Sequence, residues 1–397
     1  MPRPASSPAR ATAKVPELRI DPLTGLRTIL AAARVDRPGG GFSVPERPPI
    51  DPARDPFLEG HEDRTPPELY ALRDGGGGAD TPGWRVRVVP NLYPALTPAS
   101  EGGRGSGEVS ESGEGRGGPE KSAGGPGKST GSAGKSAGSA DDPLSAGRGE
   151  PDLFPTRPAV GAHEVIVNAP EAVTSLSALD PGQVATAMGV WRDRIVCHEG
   201  AAYVHLIVNE GKQAGASLPH THAQLYALSF VPAAIARERE RFSAYAERTQ
   251  GRNLLEDLLQ EEVRLGERIV ALDGEAVAIC PFASRVPFQL QIAPRTPRAR
   301  FEDPGPLAAA LLHEVLRRLE RVLGGPPPLN MWVRTAPSGA ADFCWRIDIV
   351  PRLTELAGLE LGVGLNLNVL APERAAAILR DSGGGEPAGI AQAAGAR

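Results

Sequence analysis

Cysteine is scarce in this chain. The three present, Cys197, Cys280 and Cys344, lie far apart and none belongs to a Cys-x-x-Cys pair, which argues against a disulfide scaffold and a cysteine-rich zinc centre. A strong charge of either sign is also missing. With 43 Lys+Arg against 48 Asp+Glu, the formal charge is −5 over 397 residues, too little for a basic field that holds nucleic acid. No apolar run is long enough to span a membrane, and the opening MPRPASSPARATAK has no apolar signal-peptide core. The expectation is a cytoplasmic, soluble protein with no membrane and no nucleic acid among its partners.

Large apolar residues are almost absent from 97–150, a Gly/Ser-rich stretch that cannot offset the entropy of ordering. It reads as a disordered insertion in a surface loop, and 381–397 as a flexible tail. The remainder, long enough for two domains, carries a faint repeat. AHEVIVNAPE and PFQLQIAPRT each read as a strand and turn, followed by the helix starts Asp180-Pro181 and Asp303-Pro304. Val184, Ala187, Met188, Trp191 and Ile195 form one helical stripe, and Leu307, Leu311, Val315, Leu319 and Val322 the other. Two apolar strands close each unit: AYVHLIVN and LPHTHAQLYAL in the first, LNMWVRTA and FCWRIDIVPRL in the second. Pro232 to Leu272 reads as connecting helix. The fold class is therefore α+β, with an N-terminal half over 15–240 and a C-terminal half over 241–380, each an antiparallel sheet with packed helices.

The halves differ where the chemistry would sit. In NEGKQAGASLPHTHAQLYAL, a strand from Leu218 to Leu228 puts His220, His222 and Gln224 on one face. The second half has Cys344, Trp345 and Arg346 in place of His220, Thr221 and His222. Imidazole is a good nucleophile toward phosphorus, and phosphoryl chemistry needs amide and backbone donors around it. Ser217, Asn209 and Gln224 are at hand. By itself a His-x-His strand more often marks a satisfied polar face or a metal site. His198 reads as a helix cap or surface residue and His205 as part of a strand's polar face.

Several ordered blocks carry a resemblance. NEGKQAGASLPHTHAQ resembles the active-site segment of the galactose-1-phosphate uridylyltransferases, in the histidine-triad superfamily, where the pattern is Asn-x-Gly…Gly-x-Ser…His-Pro-His-Gly-Gln. ELRIDPLTGLRTILAAARVDRP, RVVPNLYPAL, PFASRVPFQLQIAPR, WRIDIVPRL and GLELGVGLNLNVLAPERAAAILR have counterparts in the same order. The resemblance implies two histidine-triad-like halves related by a pseudo-twofold axis, and a homodimer. It implies that His222 takes a nucleotidyl group from a UDP-sugar and hands it to a hexose 1-phosphate, galactose 1-phosphate being the family's acceptor. Gln224 would hold the phosphates, Ser217 and Asn209 would donate hydrogen bonds, Arg34 and Arg37 would bind phosphate oxygens, and Asn91 would lie near the nucleoside.

The departures from the family pattern set further expectations. Where many members have a Cys-Pro-Phe-Cys zinc pair, this chain has Asp55, Pro56, Phe57 and Leu58. His163 and His220 match the other two zinc ligands, and Asp55, with Glu59 or His61, could complete a weaker one-zinc site. The family's second metal site is expected to be absent, because Arg334, Cys344 and Arg346 stand where histidines would, leaving Glu238 to pair with Arg346. Thr221 and Ala223 replace the proline and glycine around the nucleophile. The altered sugar segment, Glu360 to Asn368, keeps open a phosphorylase or hydrolase of the same superfamily, and the lost thiolates a non-catalytic nucleotide-binding relative.

Overall fold

The computed structural model describes residues 15–36, 42, 44–98, 154 and 156–384. The expected insertion lies outside these residues apart from Thr97 and Pro98, and the expected tail apart from 381–384. The chain divides into one compact unit of residues 1–96 and 161–397 and another of 97–160. In the second, Thr97 forms an isolated parallel bridge with Val160.

Numbered in chain order, β1 (Glu17–Ile20) and β2 (Arg27–Leu30) form a hairpin, to which β13 (Leu365–Asn368) adds in parallel. The hairpin turn follows from Asp21, whose carboxylate accepts from Leu23 N–H and the Thr24 hydroxyl, and from Gly25 at φ +72°. The helices α5 (Gly358–Val363) and α6 (Pro372–Asp381) flank β13 in sequence.

The main sheet has ten antiparallel strands. One half runs β3 (Tyr70–Arg73), β4 (Trp84–Pro90), β5 (Gly161–Val167), β7 (His222–Leu228), β6 (Tyr203–Glu210). The other continues β11 (Leu329–Arg334), β12 (Arg346–Pro351), β10 (Leu290–Pro294), β9 (Ala276–Ile279), β8 (Ile269–Leu272). From either edge inward the chain visits the strands in the same order, first, second, third, fifth, fourth. That is the signature of two pseudo-twofold-related halves, joined where β6 meets β11 from Glu210↔Leu329 to Leu206↔Val333.

Two long helices pack on one face of the sheet. In α1 (Pro181–Cys197), Asp180 caps the amides of Gly182 and Gln183 with proline at the first position, as the sequence implied. The stripe Val184, Ala187, Met188, Trp191 and Ile195 is buried, and the Trp191 indole N–H is satisfied by Asn168 Oδ1 at 3.0 Å. The equivalent helix α4 (Ala309–Leu323) packs on α1, and one apolar core runs through both halves. The opposite face carries the polar residues considered next.

Four readings change on inspection. Helix α4 starts at Ala309 rather than at Asp303-Pro304, because Pro306 bars the helical region for Gly305; Leu307 therefore precedes the helix. The stretch 232–272 is not one helix but α2 (Ala233–Thr249), α3 (Leu254–Leu265) and strand β8, broken where Gln250 and Gly251 turn at φ +61° and +94°. The half-boundary drawn at 240 falls inside α2. Finally, β7 begins at His222, so His220 stands before the strand and outside its alternation.

Glu210 closes β6 at the junction of the halves. Its Oε1 accepts from Leu176 N–H at 2.7 Å, and Arg47 stands 3.8 Å away. Burial pushes its carboxyl up to about 7 against the opposing pull of Arg47. A carboxyl with a raised folded value stabilises the fold fully below its ordinary value of 4.5, and that contribution is lost as pH rises through about 7. Thermal melts from about pH 5 to about pH 8 should show wild type losing roughly 2–3 kcal/mol more stability than Glu210→Gln; equal slopes would contradict this.

Candidate active site

The site is set by the pairing of β5 with β7. The register Val167↔His222, Val165↔Gln224 and His163↔Tyr226 puts these side chains on the face away from α1, while Ala223, Leu225 and Ala227 enter the helix-side core. Phe57, Val165, Val167, Val89 and Trp84 form a smaller apolar cluster that floors the site.

His222 is oriented by a backbone group. Its Nδ1 lies 2.7 Å from the carbonyl oxygen of His220. A carbonyl only accepts, so Nδ1 carries the proton and Nε2 keeps a free lone pair. Burial, at 5% exposure, lowers the imidazole pKa and keeps the ring neutral. The turn before it is fixed without the family's proline. Thr221 N–H donates to Val173 O at 2.7 Å, its carbonyl accepts from Asn168 N–H at 3.2 Å, and its hydroxyl accepts from Asn168 Nδ2 at 3.2 Å. Upstream, Gly211 is at φ +83° with Pro328 3.1 Å from where a Cβ would stand, so only glycine fits there.

Gln224 is held by its oxygen, and its amide N–H groups make no hydrogen bond among the described residues. Ala95 N–H donates to His163 Nδ1 at 3.2 Å, which places the ring proton on Nε2, 3.1 Å from Gln224 Oε1. The Tyr226 hydroxyl donates to the same Oε1 at 3.0 Å, and its ring stacks on His163 at 4.0 Å between centroids. Asn91 lies 3.1 Å from His163 Nε2 and accepts from Tyr93 N–H. Asn91, His163, Gln224 and Tyr226 thus form one cluster. Tyr226 was missed by the sequence reading, although the alternation that selected His222 and Gln224 extends to it.

The other candidates are more dispersed. Asn209 is next in line opposite His222, one position past the pair Val208↔Ala223, and its Oδ1 accepts from Asn330 across the junction of the halves. Ser217 is exposed in the loop before β7. Arg34 is exposed in a short 3-10 helix after β2, and no hydrogen bond joins its side chain to the β7 residues. Arg37 lies outside the described residues.

The expected zinc ligands do not fit a metal. His163 sits four positions along β5 from Val167, the partner of His222, or about 13 Å from the end near His220. The His220 ring is committed at both nitrogens: Nδ1 lies 2.7 Å from Asp55 Oδ2 and Nε2 lies 2.9 Å from Ala169 O. Asp55 Oδ1 accepts from Phe57 N–H, and Glu59 is turned away to the amide of Gly83. His61 Nδ1 donates to the Asp55 carbonyl at 2.7 Å. Among the described residues no three His, Cys, Asp or Glu side chains converge in a way that could hold an ion. Burial alone would raise the pKa of Asp55, but the hydrogen bond and charge of His220 outweigh it and hold the carboxyl below its ordinary value. In the second half, Arg346 forms the ion pair with Glu238 expected from sequence, and Arg334 stands 3.5 Å from the same carboxylate.

Comparison with known proteins finds relatives along nearly the whole chain. Residues 136–232 match the family model of the galactose-1-phosphate uridyl transferase N-terminal domain. The ADP-glucose phosphorylase of Arabidopsis thaliana is 27% identical over 385 residues, spanning 92% of this chain and 93% of the relative. The galactose-1-phosphate uridylyltransferase of Thermotoga maritima is 26% identical over 258 residues, 61% of this chain and 80% of the relative. The crystal structure of an ADP-glucose phosphorylase from Arabidopsis thaliana with bound ADP-glucose matches with a TM-score of 0.68 at 25% identity, over 92% of this chain and 98% of the other. By sequence and by fold, the chain is similar to the galactose-1-phosphate uridylyltransferases and to the ADP-glucose phosphorylase related to them.

Proposed function

We propose that the protein is a nucleotidyltransferase that takes the nucleotidyl group of a nucleotide sugar onto His222 and passes it to a phosphate-bearing acceptor. The observation that carries this reading is the free Nε2 of a neutral, buried imidazole whose Nδ1–H is fixed on the His220 carbonyl. In the first step Nε2 attacks the α-phosphorus, the bond to the β-phosphate oxygen breaks, and the sugar 1-phosphate leaves with the electron pair. In the second an acceptor oxygen attacks the same phosphorus and the P–N bond breaks, restoring the lone pair. The Gln224 amide donates to the phosphate oxygens, with Asn209, Ser217, Arg34 and Arg37 as further phosphate contacts and Asn91 toward the nucleoside. No step uses a metal.

Inorganic phosphate as acceptor, with ADP-glucose as donor, is favoured by the similarity to the ADP-glucose phosphorylase along nearly the whole chain. Transfer between UDP-hexose and galactose 1-phosphate is the second reading, favoured by the matched transferase domain. A cytoplasmic setting is part of both readings, as is a homodimer, for which Leu18, Ile20, Leu361 and Val363 offer exposed apolar surface.

Intact-protein mass spectrometry after brief incubation should show an adenylyl adduct with ADP-glucose or a uridylyl adduct with UDP-glucose, missing in His222→Ala. An adduct that survives in that variant would end the proposal. Phosphate or galactose 1-phosphate, added second, should discharge it, and the acceptor that does so decides between the readings. Gln224→Ala should slow turnover roughly ten- to a hundredfold, as loss of hydrogen bonds to a charged group does. Because the neutral ring is the nucleophile and its pKa is lowered, adduct formation should be flat above pH 6.5 and fall only on the acid side of that value.

A further inference from the structure

We infer that a buried carboxylate–imidazole pair, Asp55 with His220, holds the nucleophile without any metal, and that Asp55 is a positioning residue acting through His220. The inference rests on the reading of His222 as the nucleophile. Four contacts run in series. Asp55 Oδ2 meets His220 Nδ1 at 2.7 Å, His220 Nε2 meets Ala169 O at 2.9 Å, and the His220 carbonyl accepts the His222 Nδ1 proton at 2.7 Å. The Asp55 side chain is itself placed by Phe57 N–H at 3.0 Å.

Both neighbours of the His220 ring are acceptors, so both nitrogens donate and neither has a lone pair to offer a metal ion. The ring is fixed at two points and cannot turn about its Cβ–Cγ bond without breaking one of them. Both side chains are almost fully buried, 0% exposed for His220 and 1% for Asp55, where such a pair is costly to break. A movement of His220 would carry its carbonyl with it and release the His222 proton. Phe57, two residues past Asp55, sets its ring against both histidines, 6.1 Å from His220 and 5.2 Å from His222 between centroids. The segment after Asp51 thus supplies the charge that fixes one histidine and the ring that buttresses the other.

The tests begin with the full-length protein as purified. Zinc by mass spectrometry should be far below one per chain, and adduct formation should be unchanged by EDTA; a stoichiometric zinc whose removal slows the reaction would overturn the inference. Long-range proton–nitrogen NMR should show both His220 ring nitrogens protonated in wild type, a readout independent of activity. A lone-pair nitrogen in that ring would likewise overturn it. In Asp55→Asn, single-turnover adduct formation should slow roughly ten- to a hundredfold while affinity for the nucleotide sugar holds; an unchanged rate, or a loss confined to affinity, counts against a positioning role. If wild type forms no adduct with either nucleotide sugar, the functional reading fails on its own, and the zinc and NMR measurements still judge the pair. They also do so if Asp55→Asn does not fold.

Discussion

Everything in the site depends on the register of β5 against β7. Strand side chains alternate, so a slip of one residue would turn His222, Gln224 and Tyr226 into the helix-packed core and bring Ala223, Leu225 and Ala227 out. The core forbids this. Ala223 and Leu225 are fully buried beneath α1, on the side where Trp191 and Met188 leave no room for a ring. Apolar packing on one face therefore fixes where the imidazole stands on the other.

The two halves show how one scaffold serves two ends. β12 takes the place in the second half that β7 has in the first, yet its equivalents of His222 and Gln224 are Arg346 and Asp348. These pair with each other at 3.2 Å, and Arg346 also meets Glu238 on α2. Where the first half leaves His222 Nε2 and the Gln224 amide nitrogen without a hydrogen bond among the described residues, the second closes the same place with paired charges. Such a pair, broken on one side, leaves a buried charge alone, which makes it a structural commitment rather than a site of exchange.

Much of this was legible in the sequence. The 3.6-residue stripes of α1 and α4, the Asp-Pro cap of α1, the alternating strands and the order of the blocks are local or ordered patterns. The start of α4 was misread because the cap signal at Asp303 is local, while the obstacle, Pro306, acts three residues on. The metal ligands were misread for a different reason. Spacing along the chain said nothing of how far His163 lies along β5 from the turn holding His220, nor that Asp55, far off in sequence, comes within 2.7 Å of it. Nor did it show that His61, offered as a further ligand, has its Nδ1 on the backbone carbonyl of Asp55.

The large insertion leaves the chain between neighbours. β4 and β5 are adjacent and antiparallel, paired from Arg87↔Val167 to Pro90↔Glu164, so the chain leaves and re-enters the sheet at the same end of neighbouring strands. Closing a loop costs only about 0.6 kcal/mol for each doubling of its length. The length of this excursion is thus almost free to drift, whereas its two anchors are not. Just inside one, Ala95 N–H sets the tautomer of His163; at the other, Gly161 has the Ala227 carbonyl oxygen where a Cβ would stand. Length can vary between these residues without disturbing the contacts that hold the Gln224 side chain.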